Sequence, residues 1–91
     1  MKINNYYSPN FDKKIREKKL IKFIIIHYTG MQSERESINR LCNSKTKVSS
    51  HFLINRVGKV YRLVEENRVA WHAGKSSWGK YKNLNKNSIG I

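Results

Sequence analysis

The stretch LIKFIIIHYTG, residues 20–30, decides the fold. Phe23, Ile24, Ile25 and Ile26 follow one another with no polar break. A run apolar on both faces predicts a central strand covered on both sides, here over residues 20–28. It is far too short to span a bilayer. It runs into His27-Tyr28-Thr29-Gly30. In open α/β sheets, chemistry gathers beyond the carboxyl ends of strands. His27 is therefore a candidate functional residue.

Working outward, Ser33 with Glu36 three residues later is a capping box, and it predicts a helix over residues 34–43. Ile38, Leu41 and Cys42 mark its buried side. Cys42 is the single cysteine, so no internal disulfide is available. Its place in an amphipathic stretch favours a buried structural thiol over a nucleophile. Residues 48–55 and 59–64 predict an antiparallel hairpin, with Gly58 supplying a positive φ in the turn. In its first strand Val48, Ser50, Phe52 and Ile54 share one face, and Ser49, His51 and Leu53 the other. Residues 65–68 read as a polar connection, 69–73 as a short extended piece and 74–87 as a long loop. Residues 88–91 begin another apolar strand. Upstream, residues 1–11 read as irregular, and the charged residues 12–19 as a short exposed helix or a loop. The expected organisation is a lead-in over residues 1–19 and one domain over 20–91.

Lys and Arg number 19 against 6 Asp and Glu, a net charge of +13. Such a surface steers anions toward it, and nucleic acid, anionic lipid and acidic glycopeptide all qualify. A solvated basic surface explains the same count. There is no RNP-like motif, zinc finger or helix with patterned Arg, so nucleic acid rests on charge alone and is not the expected partner. Residues 1–9 are polar and aromatic rather than basic and then apolar, so neither a signal peptide nor a transmembrane segment is expected. The chain reads as soluble, either cytoplasmic or reaching the cell envelope by another route.

Three histidines, His27, His51 and His72, are separated by intervals that match no metal signature. GxSxG, P-loop, CxxC and GxGxxG motifs are absent. Residues 69–78, VAWHAGKSSW, gather Trp, His, Gly and Ser in a composition that suits a shaped groove. It equally suits a loop pinned into the core by Trp71 and Trp78.

The blocks IIIHYTG, VSSHFLINRVGKVYRLV, VAWHAGKSSWGKY and LNKNSIGI, taken in order, resemble the type 2 N-acetylmuramoyl-L-alanine amidases. These are relatives of peptidoglycan recognition proteins. The SPNFD lead-in, residues 8–12, fits one bacterial branch. The resemblance implies an α/β fold: a mixed β-sheet flanked by helices, with a zinc ion in a groove at the strand ends. It implies hydrolysis of the amide between the N-acetylmuramic acid lactyl group and L-alanine, by water that zinc activates. By the same resemblance His27 is the first zinc ligand. His72, Trp71, Ser76 and Trp78, with Ser77, line the groove for peptidoglycan or a muropeptide. His51 falls behind the site, where a structural role is at least as well supported as a catalytic one. The family pattern continues after SIGI with an acidic general base and later a second His, a further Asp or Cys ligand and a Lys. The expected acid thus falls beyond Ile91, and the chain reads as the N-terminal part of such a domain. A non-catalytic peptidoglycan-binding remnant is the alternative. An uncovered sheet is expected to make the chain self-associate.

Overall fold

The structure is a computed structural model and describes residues 2–27, 31, 33–74 and 76–91. Tyr28, Thr29 and Gly30, the end of the expected central strand, lie outside the described residues, as do Met1, Gln32 and Lys75.

The architecture is α/β. Strand β1 (Ile3–Asn5) is followed by a 3-10 turn (Lys18–Leu20) and β2 (Phe23–Ile25). Then come helix α1 (Glu34–Cys42), β3 (Phe52–Ile54) and β4 (Val60–Arg62). The short strands β5 (Ser77–Trp78) and β6 (Tyr81–Lys82), a second 3-10 turn (Leu84–Asn87) and β7 (Ser88–Gly90) complete it. One sheet has the order β1-β4-β3, with β1 parallel and β3 antiparallel to β4. Strands β2 and β7 pair in parallel, Ile24 opposite Ile89. The His51 amide donates to the Gly90 carbonyl at 2.9 Å and ties the two sheets together.

Locally encoded features form as expected. Ser33 accepts the Glu36 amide at 3.2 Å and caps α1. Gly58 turns the β3–β4 hairpin at φ 85°, a conformation that costs a side-chain-bearing residue steric strain. Ser49, His51 and Leu53 are all buried, as the expected face requires, although Ser50 on the other face is buried too.

Other expectations are corrected. The run Ile24–Ile26 is not covered on both sides, since Ile24 is 69% and Ile26 79% exposed. The opposite face packs, with the Phe23 ring edge-on to Tyr81 at 5.2 Å. Nothing among the described residues covers the isoleucine face. Residues 3–5 are not irregular, because their amides find a partner edge in β4, which no local pattern announces. Residues 74–87 are not one loop either. Gly79, at φ 57°, closes the β5–β6 hairpin, and Leu84–Asn87 form the 3-10 turn.

The interior is unusually polar. Leu53, Val60, Leu63, Val64, Val69 and Ala70 are buried beside Ser8, Asn10, Arg16, Ser37, Ser49, Ser50, His51 and Ser88. Burying such groups is tolerable only when each is hydrogen-bonded, and none is left unsatisfied among the described residues. The Asn10 side chain donates to the carbonyls of Asn43 and Val48 at 2.9 and 2.8 Å. Ser8 donates to the Leu41 carbonyl, and Ser49 to that of Asn10. These bonds sew the SPNFD segment to the end of α1 and to the approach to β3. Cys42 is half-buried near the Tyr6 carbonyl, and burial pushes its thiol pKa up, which suits an inert thiol.

Candidate active site

The site begins with the end of β2. The ladder between β2 and β7 continues one step past each strand: Ile91 donates to the Ile25 carbonyl at 3.0 Å, and the His27 amide donates to Ile91 at 2.8 Å. His27 is thereby held at the carboxyl end of a paired strand. Its exposed ring meets a half-buried His72, with His27 Nε2 2.8 Å from His72 Nδ1. The two rings stand edge to face, 4.9 Å between centroids.

His72 is positioned by LNKNSIGI, residues 84–91. The Asn85 side-chain oxygen accepts the amides of His72 and Ala73 at 3.0 and 2.7 Å. Ser88 Oγ lies 2.9 Å from His72 Nε2. Gly90 provides the floor: a Cβ added there would sit 2.5 Å from His72 Cγ, so only glycine leaves room for the ring. Gly90 is an ordinary extended residue, and it is space that demands a glycine. Burial, followed by the neighbouring His27, His51 and Arg16, lowers the His72 pKa to about 4. Burial also lowers that of His27.

His51 is fully buried and spends every polar atom on structure. Its amide donates to Gly90, and its carbonyl accepts the Leu63 amide at 2.8 Å. The Gly90 amide donates to Nδ1 at 3.0 Å, so Nδ1 carries no proton. A neutral ring must then carry its proton on Nε2, which donates to the Arg68 carbonyl at 2.8 Å. Arg16 Nη2 faces the same Nε2 at 3.2 Å, donor toward donor. Burial lowers the His51 pKa, the Arg68 carbonyl opposes that shift, and the Arg16 charge reinforces it. Arg16, itself buried, spans three segments by donating to the carbonyls of Glu66, Asn85 and Lys86 at 3.0, 3.0 and 3.1 Å.

The remaining sequence-derived candidates are placed differently from one another. Trp71 is half-buried, its Nε1 donating to Asp12 at 2.8 Å, which joins AWHAG to the lead-in. Ser76 accepts the Leu84 amide at 3.0 Å and closes the base of the β5–β6 hairpin. With Gly74, Ser77, Lys82 and Asn83 it lines an open depression of about 650 Å³. Trp78 is 70% exposed on β5 rather than pinned into the core. Arg16, Asn85, Ser88 and Gly90 are site residues that carry no local signal of their own, although the last three lie in the block LNKNSIGI.

A metal fits this arrangement only in part. His51 and His72 have both ring nitrogens engaged, whereas His27 Nδ1 has no partner among the described residues. No group of three or more His, Cys, Asp or Glu among those residues could hold a metal ion. Catalytic zinc takes about three protein ligands plus an open position. The residues described offer one.

The sequence pattern of the N-acetylmuramoyl-L-alanine amidase family matches residues 17–91. The chain belongs to this family. It is 38% identical over 78 residues to the N-acetylmuramoyl-L-alanine amidase AmiD of Escherichia coli K12, covering 78% of this chain and 27% of that protein. It is 30% identical over 101 residues to the 1,6-anhydro-N-acetylmuramyl-L-alanine amidase AmpD of Haemophilus influenzae Rd, covering 92% and 54% respectively. The crystal structure of a selenomethionine AmpD derivative superposes with a TM-score of 0.78 at 24% identity, over 98% of this chain and 59% of that one. That likeness establishes the amidase-like fold. The chain thus spans between about a quarter and three-fifths of these relatives. No helix among the described residues is long and apolar enough to cross a membrane.

Proposed function

We propose that the chain forms the first part of a zinc-dependent amidase domain that cleaves the bond between the lactyl group of N-acetylmuramic acid and L-alanine. The observation that carries the reading is the His27–His72 pair at the end of the β2–β7 ladder, with His27 Nδ1 unpartnered among the described residues. His27 is the first zinc ligand, and zinc would supply an activated water and a polarised carbonyl. His72, Trp71, Ser76 and Trp78 form the substrate side, where Lys82 beside the Ser76 depression suits a stem-peptide carboxylate. The substrate is peptidoglycan or a muropeptide, met in the cytoplasm or at the cell envelope. With one ligand in reach among the described residues, purified residues 1–91 are expected to hold no stoichiometric zinc and to release no L-alanyl peptide from muropeptides. Elemental analysis near one zinc per chain, together with peptide release, would overturn that expectation.

The engagement of His51 and His72 in structural bonds favours a second reading, a peptidoglycan-binding remnant that keeps the groove wall. Retention on insoluble peptidoglycan at low salt supports it, and passage of all the protein into the supernatant removes it. The bare Ile24 and Ile26 side chains also support self-association. Sedimentation velocity should show concentration-dependent association, strengthened by salt because a charge of +13 opposes it. A monomer at every concentration would contradict this.

A further inference from the structure

The hydroxyl of Ser88 makes two contacts, and they have opposite consequences. Ser88 Oγ lies 2.6 Å from the Leu84 carbonyl oxygen, which can only accept, so the single hydroxyl proton goes there. Toward His72 Nε2, 2.9 Å away, the oxygen can therefore only accept, and Nε2 must carry the ring proton. A neutral imidazole has one such proton, so His72 Nδ1 is bare. His27 Nε2, 2.8 Å from that Nδ1, must then be the donor. His27 is left with its lone pair on Nδ1.

We infer that Ser88 is a positioning residue which, acting through His72, sets the tautomer of His27 and so selects Nδ1 as its electron-pair donor. The bond made by one ring nitrogen decides what the other can do. Two features make this selection firm. The Leu84 carbonyl and Ser88 belong to the same turn, so the hydroxyl orientation is set within five residues of chain. The His72 ring cannot swing away, because Gly90 supports one side and Asn85 holds its backbone. The use of Nδ1 toward a metal ion rests on the amidase reading above, whereas the tautomer itself does not.

The test is nitrogen-15 NMR of the imidazoles in the 91-residue chain at pH 8, where the rings are neutral. An exchange-protected proton is expected on His27 Nε2, with a through-hydrogen-bond coupling to His72 Nδ1. His27 Nδ1 should resonate far downfield, as an unprotonated nitrogen. In Ser88→Ala the coupling should be lost, His72 should populate its other tautomer, and the His27 proton should exchange several-fold faster. The Gly90 amide coupling to His51 Nδ1 reports whether β7 remains in place in that variant. A proton found on His72 Nδ1 in the wild-type chain overturns the inference, as does a folded Ser88→Ala with unchanged coupling and exchange. If Ser88→Ala does not fold, the wild-type proton assignment decides alone. Zinc titration of the same sample bears on the amidase reading only, so the two can fail separately.

Discussion

Replacing His51 by Phe tests the polar interior most directly, because the ring volume is nearly kept while both ring hydrogen bonds are lost. The Gly90 amide, buried against Nδ1, and the Arg68 carbonyl, part-buried against Nε2, would each lose a partner. An orphaned buried group costs about 1–3 kcal/mol, with the Gly90 amide at the upper end because water cannot reach it. One term runs the other way: Arg16, which faces the Nε2 proton donor toward donor at 3.2 Å in the wild-type chain, would be relieved of that contact. The net loss is roughly 2–4 kcal/mol, a large share of the ~5–14 kcal/mol expected for a chain of this length. Urea unfolding followed by Trp71 fluorescence and circular dichroism should show the midpoint falling by roughly 1–3 M with little change in slope. A His51→Phe variant within 0.5 kcal/mol of wild type would refute the reasoning, since it would mean that neither ring bond supports the fold.

Gly90→Ala places a methyl 2.5 Å from His72 Cγ, so the imidazole must leave its floor. Overpacking of this kind costs about 1–3 kcal/mol, and the His27–His72 coupling should vanish with it, which NMR reads directly. Asn85→Ala strips the His72 and Ala73 amides of their acceptor and should cost about 1–3 kcal/mol in a melt, whereas Asn85→Asp keeps the acceptor and should cost much less. Stability should also depend on pH. The His72 pKa, about 4 when folded, and that of His51 lie below the unfolded value of 6.5, so the unfolded chain binds more protons between these limits. The stabilisation is complete above about pH 6.5 and declines as pH falls toward 4, by on the order of 2 kcal/mol for His72 after allowance for its partial exposure. Urea midpoints that stay flat from pH 8 to pH 4.5 would contradict this.

The legible parts of the fold were those encoded locally. The Ser33 cap, the Gly58 turn and the alternation of Ser49, His51 and Leu53 each depend on neighbours within a few residues. What escaped depends on partners far away in the chain. Ile3–Asn5 is a strand only because β4 presents a free edge to it. Arg16 reads as one more cation in a charged run, and its burial depends on carbonyls fifty to seventy residues away. The candidate site divides along the same line. His27 was legible as a histidine at a strand end, and His72 through the block around it. That LNKNSIGI serves as the seat of His72 was not legible, because Asn85, Ser88 and Gly90 acquire meaning only when that ring lies against them. The over-reading of Ile24–Ile26 has the converse cause: a run of β-branched residues reports what a strand is able to bury, not what lies over it.

His51 also bears on the order in which the molecule assembles. Its five bonds reach Leu63, Val64, Arg68 and, twice, Gly90, with Arg16 close by on the other side. No pair of neighbouring segments can satisfy it, since residues 63, 68 and 90 must all arrive. Contacts of such long sequence separation repay their closure entropy late. His51 therefore acts as a latch rather than a nucleus, and its loss should be felt chiefly as faster unfolding, with the folding rate little changed.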